Sequence, residues 1–135
     1  MFSNTVLSKR RIWSSRILSG IAVLFLLFDS LIKIIKESHA VEGTIQLGYP
    51  ETAVAGLGII EIICLALYVN PRTSPFGAIL MTGYLGGAVA TQVRIGSPLF
   101  THTFFPLYIA LFLWGGLYLA DERLRNLLRW KKHSN

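Results

Sequence analysis

The sequence predicts an all-α integral membrane protein, a four-helix bundle with both chain ends on the cytoplasmic side. Three observations predict it. Of the 135 residues, 53% are hydrophobic and only 15% are charged, against roughly 25% charged in a soluble domain, so most of the surface is built for lipid. The apolar residues fall into four segments, at about 12–35, 52–69, 75–93 and 103–120, each near the ~17–25 residues that carry a helix across the hydrocarbon layer. Positive charge gathers at the two ends of the chain. At this length residues 1–135 read as a single domain.

In chain order, residues 1–16 carry Lys9, Arg10, Arg11 and Arg16 and no acid, which holds the N-terminus in the cytoplasm and sends the first helix outward. The basic start, the apolar run and Ser38-His39-Ala40 together imitate a cleavable signal peptide. Asp29, Lys33, Lys36 and Glu37 lie between Phe28 and that site. The stretch is too long and too charged for a cleavage region, so the first helix reads as retained. Gly48-Tyr49-Pro50, the stretch from Asn70 to Pro75, and Gly96-Ser97-Pro98 are turn chemistry separating the four segments. Backbone groups in lipid must be satisfied within a segment, and none of the segments alternates, so all four are helices. The loop around Arg72 then faces the cytoplasm, and the loops at 37–51 and 96–102 face outward.

The tail at 121–135 sets five bases against Asp121 and Glu122, which returns the C-terminus to the cytoplasm. Between the tails four bases face five acids, so the net charge of +6 is a topology signal and an anionic-lipid contact. It does not mark a nucleic-acid site. Trp13, Trp114, Tyr118 and Trp130 fall near the expected cytoplasmic boundaries, as an aromatic belt would. The expected location is the inner membrane of a bacterium, with the lipid bilayer as the first partner.

The embedded polar residues share one half of the bilayer. At about 1.5 Å per residue, Asp29 lies roughly 10 Å below the outer end of helix one and Lys33 one turn nearer to it. Glu61, inside Gly56-Leu57-Gly58-Ile59-Ile60-Glu61-Ile62-Ile63-Cys64, lies near the midplane, slightly to the outer side. Tyr84 falls at mid-depth of helix three, Gln92 and Arg94 near its outer end, and His102 at the start of helix four. The inner half is almost purely apolar. A charge at the bilayer centre costs about 2.5–3.5 kcal/mol on insertion scales, so each must face the interior and find a partner. Asp29 and Lys33 are an i, i+4 pair on one helix face. Glu61 has no such neighbour, which leaves Lys33 or Arg94 from other helices, a water-filled cavity or its own proton. The plainer reading is that these groups are interhelical glue, worth about 0.6 kcal/mol on average, with Arg94 snorkelling to the interface and His102 interfacial.

Small residues fit close packing. Gly83 and Gly87 form a small-xxx-small pair on helix three, and Gly115-Gly116 and Ser15-xxx-Ser19 offer the same device, within the bundle or at a homo-oligomer face. Cys64 is the single cysteine, so a thiol relay within one chain is excluded. No metal-ligand cluster and no Ser/His/Asp set is evident. His39 and His102 share a side, both near loops, which argues against bis-histidine haem. These absences point away from an enzyme acting alone.

The segment from Gly83 to Leu119 resembles the third and fourth helices of the DoxX-like family: GYLGGAVAT, then VRIG-x-P, a His shortly before FFPLY, LWGGLYL, and Asp121-Glu122-Arg123-Leu124-Arg125. FLLFDSLIKI, LGYPE and the mid-helix Glu61 agree more loosely. The resemblance implies a four-helix membrane architecture. It also implies a redox setting, since the family takes its name from a membrane component associated with quinol oxidase and thiosulfate:quinone oxidoreductase activity. Relatives include partners of redox enzymes and a receptor-assembly chaperone. Where similar chains often carry His after Ala90-Thr91, this one has Gln92, which neither carries a proton nor ligates a metal well at neutral pH but keeps its hydrogen bonds.

Two functions follow as expectations. In the first, an outer-half cavity lined by Asp29, Lys33, Glu61, Tyr84, Gln92, Arg94 and His102 binds a small polar-headed lipophile or a redox partner subunit, quinone being the ligand implied by the resemblance alone. In the second, the chain is a non-catalytic accessory or assembly factor whose buried polar groups only specify helix packing. A transporter would need a through-path that four helices with an apolar inner half do not offer.

Overall fold

Four long apolar helices build the molecule. The computed structural model describes residues 2–128, with side chains from Lys9 onward. Helix α1 spans Phe2–Ile34, α2 Ser38–Gln46, α3 Val54–Val69, α4 Ser74–Arg94, α5 Phe105–Ala120 and α6 Glu122–Leu128. Four stretches, Lys9–Ile34, Glu51–Val69, Ser74–Arg94 and Leu99–Ala120, are long and apolar enough to cross a membrane. They match the four segments expected from hydropathy. Trp130 and the last basic residues lie outside the described residues.

The long helices form a ring in which α1 touches α3 and α5, and α4 closes the circle against both. On α3 the buried positions are Val54, Gly58, Glu61, Cys64, Leu65 and Tyr68, a stripe at helical spacing that places Glu61 in its centre. Leu26, Leu65, Met81 and Leu113 fill the middle of the bundle, while Leu24, Phe28, Ile63, Ile79 and Leu111 point outward as lipid-facing surface.

Lipid removes the hydrophobic drive between helices, so close approach and hydrogen bonds must hold them. Three glycines allow the approach. A Cβ on Gly58 would sit 2.7 Å from the Ser30 carbonyl and 2.8 Å from Lys33 Cβ. One on Gly77 would strike the Leu67–Tyr68 backbone, and one on Gly116 the α1 backbone at Ser15 and Ser19. Gly83 and Gly87 do not serve this purpose: a Cβ there meets nothing within 4 Å. They border a cavity instead, because α4 needs its close approach at Gly77, where it leaves the turn from α3.

The half nearer the chain ends is less apolar than expected. Ser15 Oγ donates to the Gly116 carbonyl (2.7 Å), Tyr68 Oη donates to the Leu113 carbonyl (2.7 Å) and lies 2.9 Å from Ser19 Oγ, and Trp114 Nε1 donates to Thr82 Oγ1 (2.6 Å). Neutral hydroxyls can be buried once paired, so these tie helices together at little cost. Trp13 and Tyr118 remain exposed, whereas Trp114 is drawn into the bundle by its bond to Thr82.

Three helices stop in the same way. After α1, α2 and α4 the residues Lys36, Gly48 and Gly96 take φ values of 54°, 94° and 71°. In each case the next N–H bonds five residues back: Glu37 to Ile32, Tyr49 to Thr44 and Ser97 to Gln92. This is the Schellman stop, which satisfies the last carbonyls of a helix. The loop expected at 37–51 therefore contains a helix, α2, capped by Glu37, whose carboxylate accepts from the N–H groups of His39 and Ala40. After Pro98 the chain enters α5 through one wide turn at Leu99–Thr103.

Candidate functional site

Lys33, in the last turn of α1, collects the polar groups of three helices. Its Nζ donates to Asp29 Oδ2 at 2.5 Å, to Glu61 Oε2 at 3.1 Å and to Tyr84 Oη at 3.0 Å. An ammonium has three hydrogens, so all are engaged. Tyr84 Oη in turn donates to Glu61 Oε2 at 3.1 Å. Helix α1 places Asp29 and Lys33 one turn apart on the same face, α3 brings Glu61 in on its buried stripe, and α4 supplies Tyr84 from the middle of its length.

Glu61 is fully buried. Its Oε1 is, among the described residues, the single buried side-chain polar atom without a hydrogen-bond partner. Buried polar atoms are nearly always paired, and an orphan normally marks a function or an absent partner. The Asp29 side chain is about a third exposed, 30%, and so forms the accessible edge of the cluster.

This edge faces a cavity of about 410 Å³ lined by Phe25, Leu26, Leu57, Phe105 and Ile109 on its apolar side, and by Asp29, Lys33, Glu61, Tyr84, Tyr49, Thr91 and Gln92 on its polar side. An apolar concavity of this size with a few convergent polar groups is what small-ligand sites look like. A second recess, also about 410 Å³, shares Asp29, Lys33, Thr44, Leu47 and Gln92 with it and continues past His39 and His102 beneath α2. The two recesses lie side by side, with Asp29, Lys33 and Gln92 between them.

Of the seven residues singled out by sequence, Asp29, Lys33, Glu61 and Tyr84 are bonded together, and Gln92 lines the same cavity. His102 stands farther out, in the recess beneath α2, with its Nδ1 2.8 Å from Thr101 Oγ1. Arg94 is elsewhere: it is exposed and its guanidinium lies against Gly48, beside a separate small recess. Glu61 thus meets Lys33 and not Arg94, because Arg94 ends α4 and reaches over the loop rather than into the bundle.

Sequence reasoning missed Tyr49 and Thr44. Tyr49 Oη lies 3.0 Å from Thr91 Oγ1, and Thr91 donates to the Gly87 carbonyl at 2.8 Å, so Tyr49 is the donor. The signal was present in Gly48-Tyr49-Pro50, where the glycine stop turns Tyr49 back over the cavity.

A larger recess of about 740 Å³ opens at the other end, between Arg16, Tyr68, Gly116 and Arg123. Two sets of its polar groups are engaged: Tyr68 with Ser19 and the Leu113 carbonyl, and Asp121 with Arg123 at 3.1 Å. Among the described residues no buried, unpartnered polar atom faces it, so size alone does not make it the site. Among the described residues no three His, Cys, Asp or Glu side chains gather as a metal site would require.

A multi-pass helical membrane protein with a buried ion cluster beside a ligand-sized cavity is the class these features define. The chain belongs to the DoxX-like family, which matches residues 17–116. The match begins within the first span and ends at Gly116, so Asp121 to Arg125 lie beyond it. No curated protein and no solved structure matches the chain.

Proposed function

We propose that this small membrane protein binds a lipophile with a polar head, of the quinone type, in the cavity beside Asp29, Lys33, Glu61 and Tyr84. In this reading the bilayer is a bacterial inner membrane, both chain ends are cytoplasmic, and the cavity lies in the outer half. A redox enzyme subunit would exchange the ligand. The observation that carries the reading is the joint presence of an orphaned buried carboxylate oxygen and an apolar cavity of about 410 Å³ lined by the same residue. Packing glue has no need for either. Gln92 and Asp29 are the groups placed to touch the head, with Phe25 and Phe105, whose rings meet edge-on at 5.0 Å, flanking its apolar body.

Native mass spectrometry of the protein in lipid nanodiscs tests this directly. The wild-type protein is expected to retain a lipophile, and Glu61→Gln to lose it while keeping its helical circular dichroism. Normal retention by Glu61→Gln removes Glu61 from the site. A second reading, an assembly factor whose ion cluster only sets helix packing, is favoured by how completely Lys33 is engaged inside the bundle. It expects Glu61→Leu to be as stable as wild type or more so, since a paired buried ion set can be replaced by apolar groups at no loss.

A further inference from the structure

We infer that the recess of about 740 Å³ between α1, α5 and α6 binds a zwitterionic phospholipid whose headgroup ends in a primary ammonium, the chemistry of phosphatidylethanolamine. It shares no lining residue with the cavity beside Glu61, so it stands or falls apart from the reading above. Four ionisable side chains line it, Arg16, Asp121, Glu122 and Arg123, and their formal charges cancel. Two of them are spent on each other: Arg123 Nη2 donates to Asp121 Oδ2 at 3.1 Å, and Asp121 also caps α6 by accepting from the N–H groups of Arg123 and Leu124. The ion pairs among the described residues include neither Arg16 nor Glu122. One cation and one anion are thus left on the same recess without touching, which is the charge pattern of a zwitterion's complement.

Ser74 adds to the phosphate side. It is 8% exposed, lines the recess and opens α4, whose first turn has no side-chain cap. Thr73 before it gives its hydroxyl to the Leu67 carbonyl, whereas the Ser74 hydroxyl is engaged with no group among the described residues and is left to the recess. The positive end of a helix dipole and its first N–H groups attract an anion. Arg16 and Ser74 then hold the phosphate, and Glu122 takes the ammonium in a charge-assisted hydrogen bond. The walls specify the rest of the ligand. Val23 and Leu117 line the recess from inside two membrane spans, so acyl chains cover them, where a water-soluble zwitterion would leave them bare. An anionic headgroup, although drawn to the basic tails, would set its charge against Glu122. A choline headgroup has no N–H to offer that carboxylate.

The test uses the full chain, delipidated in detergent and offered equal amounts of phosphatidylethanolamine, phosphatidylcholine and phosphatidylglycerol with identical acyl chains. Native mass spectrometry distinguishes the three adducts by mass. The phosphatidylethanolamine adduct is expected to exceed each of the others roughly tenfold, as one hydrogen bond to a charged group allows. Glu122→Gln, at an exposed position, is expected to erase that preference while phospholipid adducts persist. Arg16→Gln is expected to diminish all three adducts with helical circular dichroism unchanged. Phosphatidylcholine or phosphatidylglycerol bound as well as phosphatidylethanolamine, a preference that survives Glu122→Gln, or adducts undiminished in Arg16→Gln would each overturn the inference, as would wild-type protein that carries no phospholipid at all.

Discussion

Lys33 links two carboxylates and a phenol from three helices through one nitrogen, so its removal has consequences that neither acid's removal shares. Lys33→Met would leave Asp29 and Glu61 facing each other in a low-dielectric interior with no compensating charge, an arrangement that costs about 3–5 kcal/mol. Thermal unfolding in detergent is expected to show a loss of that order. The double variant Lys33→Met/Glu61→Leu should recover most of it, and a single variant as stable as wild type would mean the cluster is not formed. Glu61 was legible in the sequence because a carboxylate in an unbroken apolar helix must be bought by a partner. Which partner it found was not, because Lys33 and Arg94 are equivalent on charge and depth and differ only in where their helices stop.

At the scale of elements, α2 and the helix stops carry the features hydropathy could not resolve. Glu37 caps α2 and accepts from His39 Nδ1 at 2.9 Å. The hydrogen bond to Glu37 raises the His39 pKa above the ordinary 6.5, Glu37's charge adding to it and Glu42 contributing slightly. The reciprocal bond from His39 lowers Glu37 below the ordinary 4.5. The Glu37 contribution to folding is therefore present above 4.5 and lost as pH falls through its lowered value. The His39 contribution is complete below 6.5 and lost as pH rises through its raised value. The α2 cap is strongest between these limits. An NMR titration of His39 should find a midpoint above 6.5 that moves down toward it in Glu37→Gln; an unmoved midpoint would show that the pair does not exist in solution.

The same stop motif occurs with glycine at Gly48 and Gly96 but with a side chain at Lys36, φ 54°. A left-handed residue with a Cβ costs roughly 1–2 kcal/mol, partly offset by the unfolded-state freedom of glycine. Lys36→Gly is thus expected to stabilise the protein by about 1 kcal/mol, read as a rise in midpoint in detergent unfolding. Nothing in the hydropathy pattern distinguishes α2 from a loop, since its nine residues, SHAVEGTIQ, are too few and too polar to show a helical face by themselves. Its existence depends on the Glu37 cap and on Thr44 burying itself against the bundle.

On the scale of the whole molecule, Arg16 of α1 and Glu122 of α6 border one recess, so the first and last described helices end on the same side of the bundle. The positive-inside rule predicts that this side, which carries Arg16 and Arg123, faces the cytoplasm. Reporter fusions at both termini should therefore be active only as cytoplasmic reporters, and a single cysteine placed at Gly43 in a Cys64→Ala background should label from outside in intact cells. Labelling of Gly43→Cys only after lysis would invert the molecule.

The sequence by itself determined the four spans, their order and the need of Glu61 for a partner outside its own helix. These follow from length, hydropathy and the cost of charge in lipid, all of which are local or additive along the chain. Tertiary structure alone decided that Gly58, Gly77 and Gly116 carry the close contacts while Gly83 and Gly87 open onto a cavity, and that Arg94 stays outside it. Those outcomes depend on which faces of neighbouring helices meet, a choice set by packing all four helices at once and written in no single segment.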